Sequence, residues 1–443
     1  MSTTSGFESG KVALSEREQA MIARRQKLLG PAYRLFYEHP VHLVRGEGVW
    51  LYDADGARYL DVYNNVPSVG HCHPHVVDAL SRQAGQLNTH TRYLHDNVLD
   101  YAERLLAYLP RELGHVMFTC TGSEANDLAY RIARASTGGT GFIVTALAYH
   151  GVTQVIAELS PSLGTGTALA ATTRTVPAPD AYRGAAAQVG ATLAGNVRKA
   201  IADLHAHGMR PAALIVDTIF SSDGVFADPP GFLKAAVEEV RAAGGIFIAD
   251  EVQPGFGRTG SHMWGFERHG LVPDIVTMGK PMGAGYPIAG VAMKPALMAS
   301  FANTRYFNTF GGSPVAAAVG LAVLEVIERE HLMDNARVIG ELFRGRLAAL
   351  AGKHELIGDV RGAGLFIGVE LVRNRATREP ATEATARIVN GLREQRILIS
   401  SSGPAGNVLK IRPPLPFAEE HVALFVETLD RVLENVRREA RAA

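Results

Sequence analysis

The chain has 443 residues, 47% hydrophobic and 20% charged, with 46 glycines spread throughout. That composition suits a soluble, well-packed α/β protein and excludes disorder and collagen-like repetition. Lys+Arg and Asp+Glu both number 44, so the basic excess of a phosphate-neutralising nucleic-acid binder is missing, although a local basic pocket for a small anion stays open.

Cores stop growing near ~250–300 residues, so one large domain with a smaller one attached is expected. Cys72 and Cys120 are too few for a disulfide framework and stand at no metal-ligand spacing. Residues 1–19 are polar without an apolar centre, and no run approaches the ~18 apolar residues of a membrane span. The expectation is a reduced, cytoplasmic protein without a signal peptide.

In chain order, a helix is expected over 15–29, stopped by Gly30 and Pro31. Short strands are expected over 41–45, 49–52 and 58–62, the last two separated by the turn Asp53-Ala-Asp-Gly56. Helices with one apolar face follow over 76–86 and 97–109. From His115 to about Met293, apolar runs over 116–119, 141–145, 213–218, 246–250, 275–278 and 288–293 alternate with helical segments. Runs without period-2 alternation suit strands covered on both faces, as in a mainly parallel sheet. Helices over 313–330 and 335–351 come next, then strands over 365–372 and 408–412 with helices over 383–395 and 418–439. The fold class is therefore α/β: a mainly parallel central sheet covered by helices, with a smaller α+β domain built from both chain ends. The expected division is 1–70 for an N-terminal segment and part of the small domain, 71–330 for the large domain and 331–443 for the C-terminal part of the small one.

Lys280, in Thr277-Met-Gly-Lys280-Pro, lies just past the carboxyl end of an expected buried strand, where open α/β sheets place ligands. Desolvation there lowers an amine's pKa, as a Schiff-base lysine requires; alone, the residue reads more readily as a solvated loop lysine. Asp250 ends the run Gly245-Ile-Phe-Ile-Ala-Asp250. A carboxylate buried there needs a cationic partner, and a pyridinium nitrogen is one; a metal ion or a helix cap is another reading. In Thr121-Gly122-Ser123-Glu124 a strand turns into a helix, whose free N–H groups form an anion site that Gly122 leaves open, unless Ser123 is merely the cap. Tyr149, in Tyr149-His150-Gly151, could stack on a planar ring or lie on the surface. Jointly, a phosphate cradle, a stacking aromatic, a pyridinium partner and a Schiff-base lysine, all at strand ends, point to pyridoxal 5'-phosphate.

The chain resembles a class III aminotransferase of the fold-type-I pyridoxal-phosphate superfamily along essentially its whole length. The matching text is Gly70-His-Cys-His-Pro74, Gly122-Ser-Glu-Ala-Asn-Asp127, Tyr149-His-Gly151, Ala249-Asp-Glu-Val-Gln253, Gly255-Phe-Gly-Arg-Thr-Gly260 and Thr277-Met-Gly-Lys280. The resemblance implies that Lys280 bonds the cofactor aldehyde, Asp250 meets the ring nitrogen and Tyr149 stacks on the ring. Gln253 would lie near the ring hydroxyl, Gly122 and Ser123 would hold the phosphate, and Thr309 would reach the neighbouring subunit's phosphate in a dimer with shared active sites.

Two other patterns fit less well. Gly255-Phe-Gly-Arg-Thr-Gly260 has dinucleotide-motif spacing, yet it does not directly follow a strand and no convincing apolar helix succeeds it. His71-Cys-His-Pro-His75 looks metal-like but has no second cluster at ligand spacing, so no metal is expected. Segments 64–73, 88–97 and 407–415 look most like the phospholyase branch, which splits O-phosphoethanolamine or 5-phosphohydroxylysine. Such a reaction needs a second anion site, for which Arg92, Lys410 and Arg412 are the candidates, with Asn65 orienting substrate. Lys410 and Arg412 are two apart and share a strand face. Arg92 could instead be an interface ion pair and Lys410 a solvated strand residue. Arg412 alone does not discriminate, because the resemblance gives ordinary transaminases an arginine in that segment for a substrate carboxylate. An aminotransferase and a non-catalytic cofactor-binding scaffold remain as alternatives.

Overall fold

The structure, a computed structural model, describes residues 6–442. Its centre is a seven-stranded sheet made of β1 (His115–Thr119), β2 (Gly141–Thr145), β3 (Thr173–Val176), β4 (Pro211–Asp217), β5 (Ile246–Asp250), β6 (Ile275–Met278) and β7 (Ala289–Met293). The order across the sheet is β1-β7-β6-β5-β4-β2-β3. All neighbours are parallel except β7, which runs antiparallel to both β1 and β6. Every residue of β2, β6 and β7 is buried, so the absence of alternation in those runs reflects cover on both faces. The edge strand β3 escapes the sequence reading because Thr-Arg-Thr-Val is short and polar.

Parallel connection brings the carboxyl ends of β4, β5 and β6 to one rim, with Asp217 opposite Asp250 and Asp250 opposite Thr277 in the ladder. The crossover helix Gly122–Thr137 starts from the end of β1. Thr121 caps it, accepting from the Glu124 N–H at 3.2 Å while the Glu124 carboxylate accepts from the Thr121 N–H at 3.0 Å. The cap is thus Thr121 and not Ser123, whose hydroxyl is free for other use.

The expected N-terminal helix is Glu16–Leu29, capped by Ser15. Leu43–Glu47, Trp50–Asp53 and Arg58–Asp61 form a meander, and Ile397–Leu398 adds to it parallel to Arg58–Asp61, so the two chain ends meet in one sheet. A second C-terminal sheet pairs Ile357–Ala363 with Phe366–Asn374, then Val408–Ile411 and Ser400–Ser402. Ile357–Ala363 was missed because its burial is mixed over its first five residues. Helix Pro314–Arg329, largely buried, packs against helices Pro74–Ala84 and Asp96–Ala107. Among the described residues, no helix is long and apolar enough to cross a membrane.

Candidate active site

One cleft at the rim is lined by Gly122, Ser123, Asn126, Tyr149, His150, Asp217, Asp250, Gln253 and Lys280, together with Gly151 and Val252. It gathers every cofactor-contact residue expected from the sequence except Thr309. Gly122 and Ser123 open the helix, where backbone N–H groups have no partner inside it and the helix dipole favours an anion. A Cβ at Gly122 would lie 3.0 Å from the Val252 side chain, tighter than ordinary van der Waals contact, so glycine suits the close approach. Ser123 Oγ accepts from the Val152 N–H at 3.1 Å, which ties the cradle to the loop carrying Tyr149. Tyr149 is partly exposed at the mouth, and burial raises its phenol above the usual range.

Asp250 is 4% exposed and fully engaged. Its Oδ2 lies 2.7 Å from His150 Nδ1 and accepts from Asn126 Nδ2 at 3.0 Å, while Oδ1 accepts from the Val252 N–H at 3.1 Å. Asn126 also donates to the His150 carbonyl at 2.7 Å and accepts from the Thr277 hydroxyl at 2.7 Å. A carboxylate held this way is a fixed negative charge at the strand end, as a ring-nitrogen partner must be.

Lys280 follows Gly279 and has φ 20°, a strained backbone of the kind that clusters at functional positions. Burial, helped by the charge of Arg412, brings its amine down to about 8, against the opposing pull of Asp250 and Asp217. Asp217, which the sequence reading passed over, is moved upward by burial, with Asp250 beside it adding to the shift. Its position at the end of an apolar run was the same signal that picked out Asp250.

Lys410 lies in the strand Val408–Ile411 of the second C-terminal sheet and Arg412 directly follows it; both are buried. Arg412 Nη1 donates to Gln253 Oε1 and, at 3.1 Å, to Asn65 Oδ1. Its guanidinium lies 4.3 Å from the Tyr63 ring centre. Gln253 Nε2 in turn donates to Ser221 Oγ at 2.6 Å, and Asn65 Nδ2 to the Gln253 carbonyl at 3.3 Å. Burial pushes the Lys410 amine well below its ordinary value, with Arg412 and Lys280 adding to the shift and Asp217 and Asp223 opposing it. Lys410 is therefore a buried residue close to Lys280 and not a solvated one.

Arg92 and Thr309 lie elsewhere. Both are exposed, and the Arg92 guanidinium sits 3.9 Å from the Phe307 ring centre, two residues before Thr309. The structure brings these two near each other and not to the cleft of their own chain. The histidines of the metal-like run are each taken by a separate carboxylate: His71 by Asp61 at 2.7 Å, His73 by Glu330 at 2.8 Å and His75 by Glu325 at 2.5 Å.

Residues 36–433 match the family model Aminotransferase class-III. The chain belongs to this family. A Drosophila melanogaster protein named alanine--glyoxylate aminotransferase 2-like is 41% identical, over 94% of this chain and 87% of its own. Ethanolamine-phosphate phospho-lyase homolog 1 of Caenorhabditis elegans is 36% identical, over 95% and 94%. Among solved structures, a phospholyase from Arthrobacter in complex with phosphoethanolamine aligns with TM-score 0.90 and 44% identity, over 94% of this chain and 99% of that one. The fold is that of the fold-type-I enzymes, and the cofactor is pyridoxal 5'-phosphate. The cleft fits it: a helix start opened by a glycine set close against Val252, a fixed carboxylate, and a lysine of lowered pKa in one cavity.

Proposed function

We propose that the protein is a phospholyase that converts O-phosphoethanolamine and water to acetaldehyde, ammonia and inorganic phosphate. The observation that carries this reading is the pair Lys410 and Arg412, two buried basic side chains gathered near Lys280: the Arg412 charge acts on the amines of Lys280 and Lys410, and that of Lys280 on Lys410. They supply an anion-binding corner beyond the cofactor's own phosphate cradle. The likeness to the phosphoethanolamine-bound Arthrobacter structure supports the same substrate class.

Pyridoxal phosphate held by Gly122, Ser123, Asp250 and Lys280 would supply an electron sink for the carbon that bears the substrate's amine. Asp250 would keep the ring nitrogen protonated, through a carboxylate whose other contacts are already made. The Lys280 amine would take the carbon's proton, and a pKa of about 8 leaves a useful neutral fraction near neutrality. Arg412 and Lys410 would hold the phosphate as it departs, with Asn65 and Gln253 fixing the guanidinium. By this reading Gly122, Ser123 and Tyr149 hold the cofactor, and Thr309 and Arg92 complete the site of a partner subunit. Supporting a homodimer, Tyr93, Leu94 and Phe310 are exposed on the same surface as Arg92. We further place the small domain at 1–70 and 331–443, and the protein in the cytoplasm.

The deciding assay supplies O-phosphoethanolamine without any keto acid and measures phosphate and acetaldehyde. Multi-turnover release is expected. Silence there, with activity on an amine plus pyruvate, establishes the second reading, an aminotransferase, which the name of the Drosophila relative favours.

A further inference from the structure

The run Gly255-Phe-Gly-Arg-Thr-Gly260 has no part in the reaction described above. Its last glycine serves packing: Gly260 has φ 77°, and a Cβ there would come within 2.6 Å of the Arg337 backbone. Arg258 is a different matter. It is 2% exposed, and its Nη1 donates to the Leu365 carbonyl at 3.1 Å and to the Pro413 carbonyl. Its Nη2 is buried without a hydrogen-bond partner. The one acid whose charge reaches it, Asp61, is already engaged by His71 at 2.7 Å and by the N–H groups of Tyr63 and Asn64. The neighbouring charge that acts most strongly on it is that of Arg412.

An ion buried without a counter-charge is costly, and two like charges set together cost more. What Arg258 holds gives the arrangement a purpose. Pro413 directly follows Arg412, whose own N–H donates to the Val62 carbonyl at 3.0 Å. The backbone around Arg412 is therefore pinned on one side by Val62 and on the other by Arg258. Arg412 has a spare donor too: its Nε is buried without a partner.

We propose that Arg258 is a positioning residue for the substrate's phosphate: by clamping the Pro413 carbonyl it fixes the Arg412 guanidinium, and it places a second buried positive charge behind it. The inference rests on the phospholyase reading and deepens it. Repulsion between two guanidiniums is relieved by a dianion more fully than by a monoanion, so the corner favours a phosphate monoester over a carboxylate.

The test uses the holoenzyme and two variants. R258K keeps the charge but loses the planar fork that spans two carbonyls, and R258Q loses the charge as well. Binding of inorganic phosphate is titrated through the visible absorption band of the lysine-bound cofactor, and steady-state kinetics are measured with O-phosphoethanolamine. In R258K the phosphate dissociation constant and KM are both expected to rise about tenfold, and further in R258Q, with kcat and the visible band changing less than about twofold. Adding R258K to R412K should cost less than about twofold more in phosphate affinity, because the clamp acts through Arg412. Unchanged phosphate binding in R258K, loss of the visible band, or a full further tenfold loss in the double variant overturns the inference. Should R258Q not fold, R258K decides alone. A wild-type enzyme that binds phosphate but releases none from O-phosphoethanolamine sinks the phospholyase reading, while the titration still judges Arg258.

Discussion

Asp250 and Arg412 both act on the amine of Lys280, and they are held in contrasting ways. Each Asp250 oxygen has its partners within the protein, from His150, Asn126 and the Val252 N–H. Arg412 is anchored by Asn65 and Gln253 through one nitrogen, while its Nε has none. The satisfied group suits a permanent guest that is always present in the same pose. The under-satisfied one suits a visitor, since buried donors without acceptors are stabilised whenever an anion enters. Under the proposed roles, cofactor chemistry and substrate choice are divided between two kinds of hydrogen-bond economy on either side of Gln253.

The division can be broken at its largest expected effect by Lys280→Ala, which should abolish the visible cofactor band and lower turnover by at least about 10³-fold, because both the attachment point and the base are lost. Asp250→Asn should retain the band but lower kcat by about 10²-fold, through loss of the fixed charge at the ring nitrogen; an unchanged kcat would mean the ring is placed otherwise. Loading of the apoenzyme sharpens the picture. The neutral Lys280 amine is the reactive form, so the rate at which the band grows on adding pyridoxal phosphate should rise about tenfold per pH unit below 8 and level off above it. A flat profile from pH 6 to 9 would contradict the lowered pKa.

The smallest effect lies outside the cleft's chemistry, at Glu251. This carboxyl is fully buried and accepts from the N–H groups of Gly265 and Phe266 and from the Thr218 hydroxyl. Burial nevertheless raises its pKa from 4.5 to about 8. The folded state therefore binds this proton more tightly than the unfolded state. Its stabilising contribution is complete below about 4.5 and fades as the pH climbs through about 8. The melting temperature should fall between pH 6 and 8.5, and less steeply in Glu251→Gln.

What could be read from the sequence depended on whether a residue's meaning was local. Lys280 and Asp250 each stand at or just past the end of an apolar run, a signal open to several explanations singly and telling only when the two are taken together. The turn from strand to helix at Gly122 was legible too, although the cap is Thr121 and not Ser123. Asp217 carries the same local signal, yet its importance comes from the ladder that sets it opposite Asp250, and register cannot be seen along one strand. Arg258 meets Pro413 across 155 positions, so periodicity holds no trace of it. Arg92 and Thr309 show the converse limit: their text was recognisable, but the cleft of a single chain does not contain them. The antiparallel β7 was likewise invisible, since burial on both faces produces the same apolar run in either direction.

Asn126 lies one turn beyond the Gly122–Ser123 end of its helix and touches Asp250, the His150 carbonyl and Thr277 with one amide. By the reading proposed above, phosphate grip and ring anchor would be spaced by this single short side chain, a gauge of length. A cofactor analogue with one extra methylene between heterocycle and phosphate should be refused outright, and trimming the gauge in Asn126→Ala should make the enzyme less exacting about that dimension.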